Sequence, residues 1–135
     1  MINLLMSFIT SAAIAVAFRG PLRAVFASGC TGLIGYSVYA GAQRLGSPQL
    51  LAIFLGALAI GTAGELLART LREPTLLFVI PGLFPLVPGI WVYNGMLSMA
   101  RGDMQTAGQD LARTMFWAGA LAAGLALPPA LLRSR

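Results

Sequence analysis

Three prolines, Pro81, Pro85 and Pro88, fall close together inside the apolar stretch TLLFVIPGLFPLVPGIWVYNGMLSM (75–99), with Gly82 and Gly89 beside them. Each interior proline removes a backbone donor and pushes against the preceding turn. A regular helix is therefore expected to fail over several positions between 81 and 89. A helix that restarts after Pro88-Gly89 leaves the N–H groups of Ile90, Trp91 and Val92 without intrahelical acceptors, and that electropositive end suits a carboxylate. Tyr93 and Asn94 come next and offer neighbouring polar contacts. The expected substrate-binding set is Pro81, Pro85, Pro88, Gly89, Ile90, Trp91, Val92, Tyr93 and Asn94, lining a polar cavity. The competing readings are a packing kink for the prolines, an interface belt for Trp91 and Tyr93, and interhelical hydrogen bonding for Asn94.

Glu65 is the only acidic residue well inside an apolar segment. Carboxylates in membranes are costly and often functional. Glu65 also stands four residues before Arg69, so an ion pair reaching toward the segment end is expected, with proton coupling as the alternative. Other chemistry is scarce. There is no His, and Cys30 is the single Cys, which excludes a His-based triad, a Cys/His metal site and an internal disulfide. No nucleophile–base pair stands out, so neither an enzyme nor a metal or cofactor is expected.

The elements that must position these residues follow from composition. The 135 residues are 58% hydrophobic and 10% charged, against roughly 25% charged in a soluble domain. A soluble chain of this size leaves too much surface in water to hide that much apolar area. The net charge of +5 sets nine basic residues, all of them Arg, against four acidic ones. They stand at segment ends, where Arg meets water and headgroups, and not in a basic groove for nucleic acid.

The expected fold is an all-α integral membrane protein, a single transmembrane domain over 1–135. Its five hydrophobic segments lie at about 2–18, 24–42, 49–68, 75–99 and 115–132. The fourth is broken by its prolines and either spans or re-enters. The first resembles a signal peptide at Ala15-Val16-Ala17 but lacks a basic start, so it is expected to be retained. The polar stretch 100–114 is expected along the interface. Ser28, Thr31, Gly32 and Gly35, and likewise Ala57, Gly61, Gly64 and Ala68, make small faces for close helix contact with this chain, another copy or a partner. With five complete spans, Arg19, Arg23, Arg69, Arg72, Arg133 and Arg135 share the cytoplasmic side. A re-entrant fourth segment moves the C-terminus across without changing the balance of charges.

The run Val79-Ile80-Pro81, Pro85-Leu86-Val87-Pro88-Gly89, Tyr93 and Met96 resembles the threonine/serine exporter family, in its small, YjjB-like subunit type. Gly61, Glu65-Leu66-Leu67-Ala68-Arg69, Arg72 and Pro74 fit the same pattern, as does Arg19-Gly20-Pro21-Leu22-Arg23-Ala24. The resemblance covers about residues 15–130. It implies export of small carboxylate-bearing metabolites, threonine and serine or dicarboxylates such as succinate, across a bacterial inner membrane. It also implies a larger YjjP-like membrane subunit as partner. A non-transporting assembly or scaffold protein is the second reading.

Overall fold

The computed structural model describes residues 2–87 and 89–133, with Arg133 as backbone only. Pro88 lies outside the described residues. The order is α1 (Ile2–Ala17), α2 (Leu22–Arg44), α3 (Gln49–Leu71), α4 (Leu76–Leu83), a 3-10 turn (Phe84–Leu86), α5 (Gly89–Ala100) and α6 (Met104–Arg133). Among the described residues there is no strand.

Local chemistry sets the boundaries. Pro21 and Pro48 stand immediately before α2 and α3 with extended ψ values of 155° and 146°, where a missing N–H costs nothing. Gly46, at φ 83°, ends α2 in the left-handed region that glycine adopts without strain. Arg72 ends α3 at φ 57°, and the Glu73 N–H closes the turn on the Ala68 carbonyl at 3.1 Å.

α2 packs on α1, α3 and α4, and α3 on α2, α4 and α6. Ser28, Thr31, Gly32, Gly35, Ala57, Gly61, Gly64 and Ala68 are all buried within the chain itself. A Cβ on Gly64 would stand 2.6 Å from Val79 Cγ2, and one on Gly61 2.9 Å from Pro128 Cγ. Ser7 Oγ donates to the Gly32 carbonyl at 3.0 Å, holding α1 to α2. One core cluster gathers Ile53, Ala57, Ile60, Leu86 and Leu121, and another gathers Ala24, Ala27, Ala68 and Phe78.

Gly61 faces Pro128 and Arg69 reaches the Leu132 carbonyl, so α6 runs alongside α3 in the same direction. Ala15, Phe18 and Gly20 share a cleft with Glu73 and Pro74, which places the 18–21 turn at the same end of the bundle as the 72–75 turn and the end of α6. Residues 76–100 carry the chain from this end to the other.

Two expectations need correction. The first concerns the prolines. Pro81 lies inside α4 and Pro85 inside the 3-10 turn, so helical structure persists to Leu86, and among the described residues of 81–89 only Val87 is extended, at ψ 131°. The carbonyl that Pro81 leaves without a helical donor is that of Leu77, and Ser28 Oγ donates to it at 2.9 Å. Val87 takes the extended form that a following proline requires.

The second concerns 100–114. These residues do not form a separate interfacial stretch, because α6 begins at Met104 and continues through them. Asp103 caps it, accepting the Thr106 N–H at 3.2 Å and the Thr106 hydroxyl at 2.6 Å.

The expected membrane segments are met in part. Among the described residues, α3 and α6 are long and apolar enough to cross a membrane, and the bent pair Leu76–Leu86 and Gly89–Ala100, meeting at 54°, raises the count to three. α1 has 16 residues, about 24 Å of helix against a hydrocarbon core of about 30 Å. α2 has 23 residues. Ser28, Gly29, Thr31, Gly32 and Gly35, which lower its mean hydropathy, are buried against other helices.

Candidate functional site

Two clefts contain the chemistry. The first lies at the start of α5. Trp91 sits in its first turn, and the Arg113 guanidinium of α6 stands 5.3 Å from the Trp91 ring centroid, a cation–π contact. Together with Gln49, Leu50, Phe116 and Trp117 they border a cleft of about 360 Å³. An exposed guanidinium near the first turn of α5 favours an anion.

The expected docking set does not converge on one cavity. Trp91 reaches the cleft just described. Pro85 borders a separate space of about 240 Å³ with Tyr36 and Thr10, and Pro81 borders an apolar one of about 290 Å³ with Phe18 and Leu77. Gly89, Ile90, Val92 and Tyr93 are exposed and Asn94 is half-buried, and none of them borders these clefts. No atom lies within 4 Å of the place where a Gly89 Cβ would stand. Carbonyls flanking Pro81 and Pro85 meet protein donors. Ser28 satisfies the Leu77 carbonyl, and Trp117 Nε1 donates to the Leu86 carbonyl at 3.1 Å.

The second cleft, about 800 Å³, lies between α3, α4 and α6. Glu65 lines it and is 4% exposed. Its Oε2 accepts the Thr75 hydroxyl at 3.2 Å, and Arg69 Nε stands 3.7 Å from Oε1. Arg69 Nη2 also donates to the Leu132 carbonyl at 3.0 Å, linking the ends of α3 and α6. Among the described residues there is no group of acids, His or Cys able to hold a metal ion.

Arg113, Thr75, Glu73 and Trp117 were not singled out by the sequence reading. Asp110, buried between α6 and Gly95 of α5, was also overlooked. One signal was available. Ala107, Asp110, Thr114, Trp117, Leu121, Gly124 and Pro128 alternate at spacings of three and four, the stripe of a packed helix. Nothing local links Thr75 to Glu65 or Trp91 to Arg113.

A family model described as "Threonine/Serine exporter, ThrE" matches residues 3–131. The "Threonine/serine exporter" of Corynebacterium glutamicum is 31% identical over 127 residues, covering 88% of this chain and 24% of that protein. The "Probable threonine/serine exporter" of Mycobacterium tuberculosis is 25% identical over 93 residues, 69% of this chain and 18% of that protein. The chain thus aligns with a quarter or less of the length of these relatives. No solved structure matches it.

Proposed function

Because the chain belongs to the threonine/serine exporter family, we propose that it is the membrane subunit of a two-component exporter of small carboxylate-bearing metabolites. The carrying observation is the family match over residues 3–131. The cargo is threonine and serine, or a dicarboxylate such as succinate. The second component is a larger YjjP-like membrane protein, corresponding to the three-quarters of the Corynebacterium glutamicum relative outside the aligned part.

In this reading all five apolar segments cross a bacterial inner membrane, and the fourth is a broken span, with α4 and α5 on either side of the bend. The end carrying Arg19, Arg23, Arg69 and Arg72 is cytoplasmic, in keeping with the bias of Arg toward that side. The carboxylate docks in the cleft of Trp91 and Arg113. There the guanidinium supplies charge and paired donors, and the start of α5 adds N–H groups. The scaffold reading loses its main support, because the small-residue faces that suggested it are taken up inside the chain.

The test is efflux of threonine, serine and succinate from cells that co-express the chain with its candidate partner. Arg113→Ala should reduce efflux about tenfold or more, and Arg113→Lys should restore part of it. Efflux unaltered by Arg113→Ala removes that cleft from the pathway. No efflux of any of the three from the co-expressed pair turns the balance to the scaffold reading.

A further inference from the structure

A further cleft of about 290 Å³ opens between α1, α2 and α4, at the end of the bundle that carries the 18–21 and 72–75 turns. Its walls are apolar, with Ala15, Phe18, Leu77, Ile80 and Pro81, and Glu73 is the one charged residue among the described residues that line it. Arginines surround its mouth. Arg19 stands between Phe18 and Gly20, Arg23 precedes Ala24, and Arg72 precedes Glu73, so each is next in the chain to a residue of the lining. All three are exposed, and none makes a salt bridge or side-chain hydrogen bond with another described residue. Arg19 and Arg72 are the two non-glycine residues at positive φ among the described residues, both at 57°, a conformation that glycine usually supplies at a helix end. A cation at the end of α1 or α3 suits the helix dipole. Arg23 has no such excuse. It lies in the first turn of α2, where the dipole opposes a positive charge, and no acidic residue accompanies it there. An anion at the mouth would resolve that conflict, because the start of α2 and all three guanidiniums favour one.

We propose that this cleft holds an anionic phospholipid of the membrane, of the phosphatidylglycerol type. The phosphate lies among Arg19, Arg23 and Arg72 beside the start of α2, and part of one acyl chain enters the apolar cleft. At about 30 Å³ for a water-sized group, the volume admits a stretch of one chain and not a whole lipid. Phe18, Leu22 and Leu76, at 56%, 87% and 64% exposure, give the rest of the lipid an apolar surface next to the arginines. Basic pockets between membrane helices hold anionic headgroups in this way. Glu73 accepts a hydroxyl of the glycerol headgroup, a donor that a choline headgroup lacks. The bound lipid bridges the α1–α2 turn and the α3–α4 turn, which no hydrogen bond or salt bridge joins among the described residues. The proposal rests on placing the bundle in a membrane and not on what the bundle carries.

The experiment is native mass spectrometry of the full chain in detergent, titrated with phosphatidylglycerol and with phosphatidylcholine of the same acyl chains. One phosphatidylglycerol should be retained with a preference of about tenfold or more over phosphatidylcholine. Each of Arg19→Gln, Arg23→Gln and Arg72→Gln should lower that preference by up to about fivefold, and the triple variant should abolish it. Arg44→Gln combined with Arg101→Gln, at the other end of the bundle, should leave it unchanged. Equal retention of the two lipids by the wild-type chain overturns the proposal. So does an equal loss in the two sets of variants, which would mean a diffuse charge effect without a site. If the triple variant fails to fold, Leu76→Trp decides. Leu76 lines the cleft and is exposed, so the larger ring obstructs the cleft and leaves the arginines in place. A folded Leu76→Trp should lose the preference, and wild-type preference in it overturns the site. Because binding is read without transport, absence of efflux with lipid binding intact counts against the exporter reading alone.

Discussion

Leu76–Leu86 lies against α1, α2 and α3, whereas Gly89–Ala100 packs on α6 alone among the described residues. The first half buries Phe78, Pro81, Gly82 and Leu86, and the second buries only Gly95. Both halves come from one apolar stretch, so composition does not separate them. What separates them is the supply of hydrogen-bond donors from neighbours. Proline is tolerated in lipid where an adjacent side chain satisfies the freed carbonyl. Ser28 of α2 does this for Leu77, and Trp117 of α6 meets the Leu86 carbonyl at the end of the 3-10 turn. The enclosed half is therefore a packing element despite its prolines. The open half keeps an uncrowded helix start, with Ile90 71% and Tyr93 65% exposed.

The sharpest way to break this contrast is a pair of matched substitutions. Gly64→Leu forces a side chain into Val79, and the expected result is loss of a monodisperse, heat-stable protein. Gly89→Leu meets open space and should leave size and heat stability unchanged. Equal behaviour of the two, by size-exclusion chromatography and thermal unfolding in detergent, would erase the distinction between the halves.

A smaller effect tests the donors themselves. Ser28→Ala and Trp117→Phe each strand one carbonyl, at Leu77 and Leu86, and each should cost about 1–3 kcal/mol. The drop in thermal midpoint reads this directly. Ser28→Thr keeps the hydroxyl but adds a methyl at a fully buried position, so it does not serve as a rescue. No loss of stability in either variant would mean that the freed carbonyls find other partners.

Exposure supplies the third test. In a Cys30→Ser background, Leu86→Cys should resist a water-soluble thiol reagent, and Ile90→Cys should react if the start of α5 faces a water-filled path. Leu86 is 3% exposed. Protection at both positions during active efflux would place the open face of α5 against lipid or a partner and move the pathway elsewhere.

Much of the helical organisation was legible because it is local. Small residues recurring at 57, 61, 64 and 68 mark one helix face, and Glu65 and Arg69 are one turn apart on α3. The fate of the prolines was not legible. Proline chemistry alone forecasts a break at Pro81, and the hydroxyl that permits helix there belongs to Ser28, 49 residues from the Leu77 carbonyl it meets. The same limit hid both clefts. Thr75 meets Glu65 through the turn that starts α4, and Arg113 meets Trp91 only once α5 and α6 fold back on each other. The polar stretch before residue 115 was read as surface because its charges hid the stripe of Ala107, Asp110 and Thr114.

That fold-back depends on the short turn between α5 and α6, where the smallest expected effect lies. The Asp103 carboxyl is held below the usual carboxylate range, first by the Thr106 hydroxyl and then by the Thr106 N–H. A group whose pKa is lower in the folded than in the unfolded state contributes stability above its unfolded value, about 3.9 for Asp, and loses it as pH falls through the folded value. Asp103 is fully exposed, so the contribution is screened and confined to the first turn of α6. At pH 7 the amides of Met104–Ala107 should show the same hydrogen-exchange protection in wild type and in Asp103→Ser, because Ser also caps a helix. Acidification below about pH 4 should strip protection from wild type and spare Asp103→Ser. The packed half of the stretch, at Phe78 and Val79, should not respond in either protein. A pH response there as large as at Met104 would mean that the open and enclosed halves unfold together, and the contrast between them would then be one of geometry without a difference in local stability.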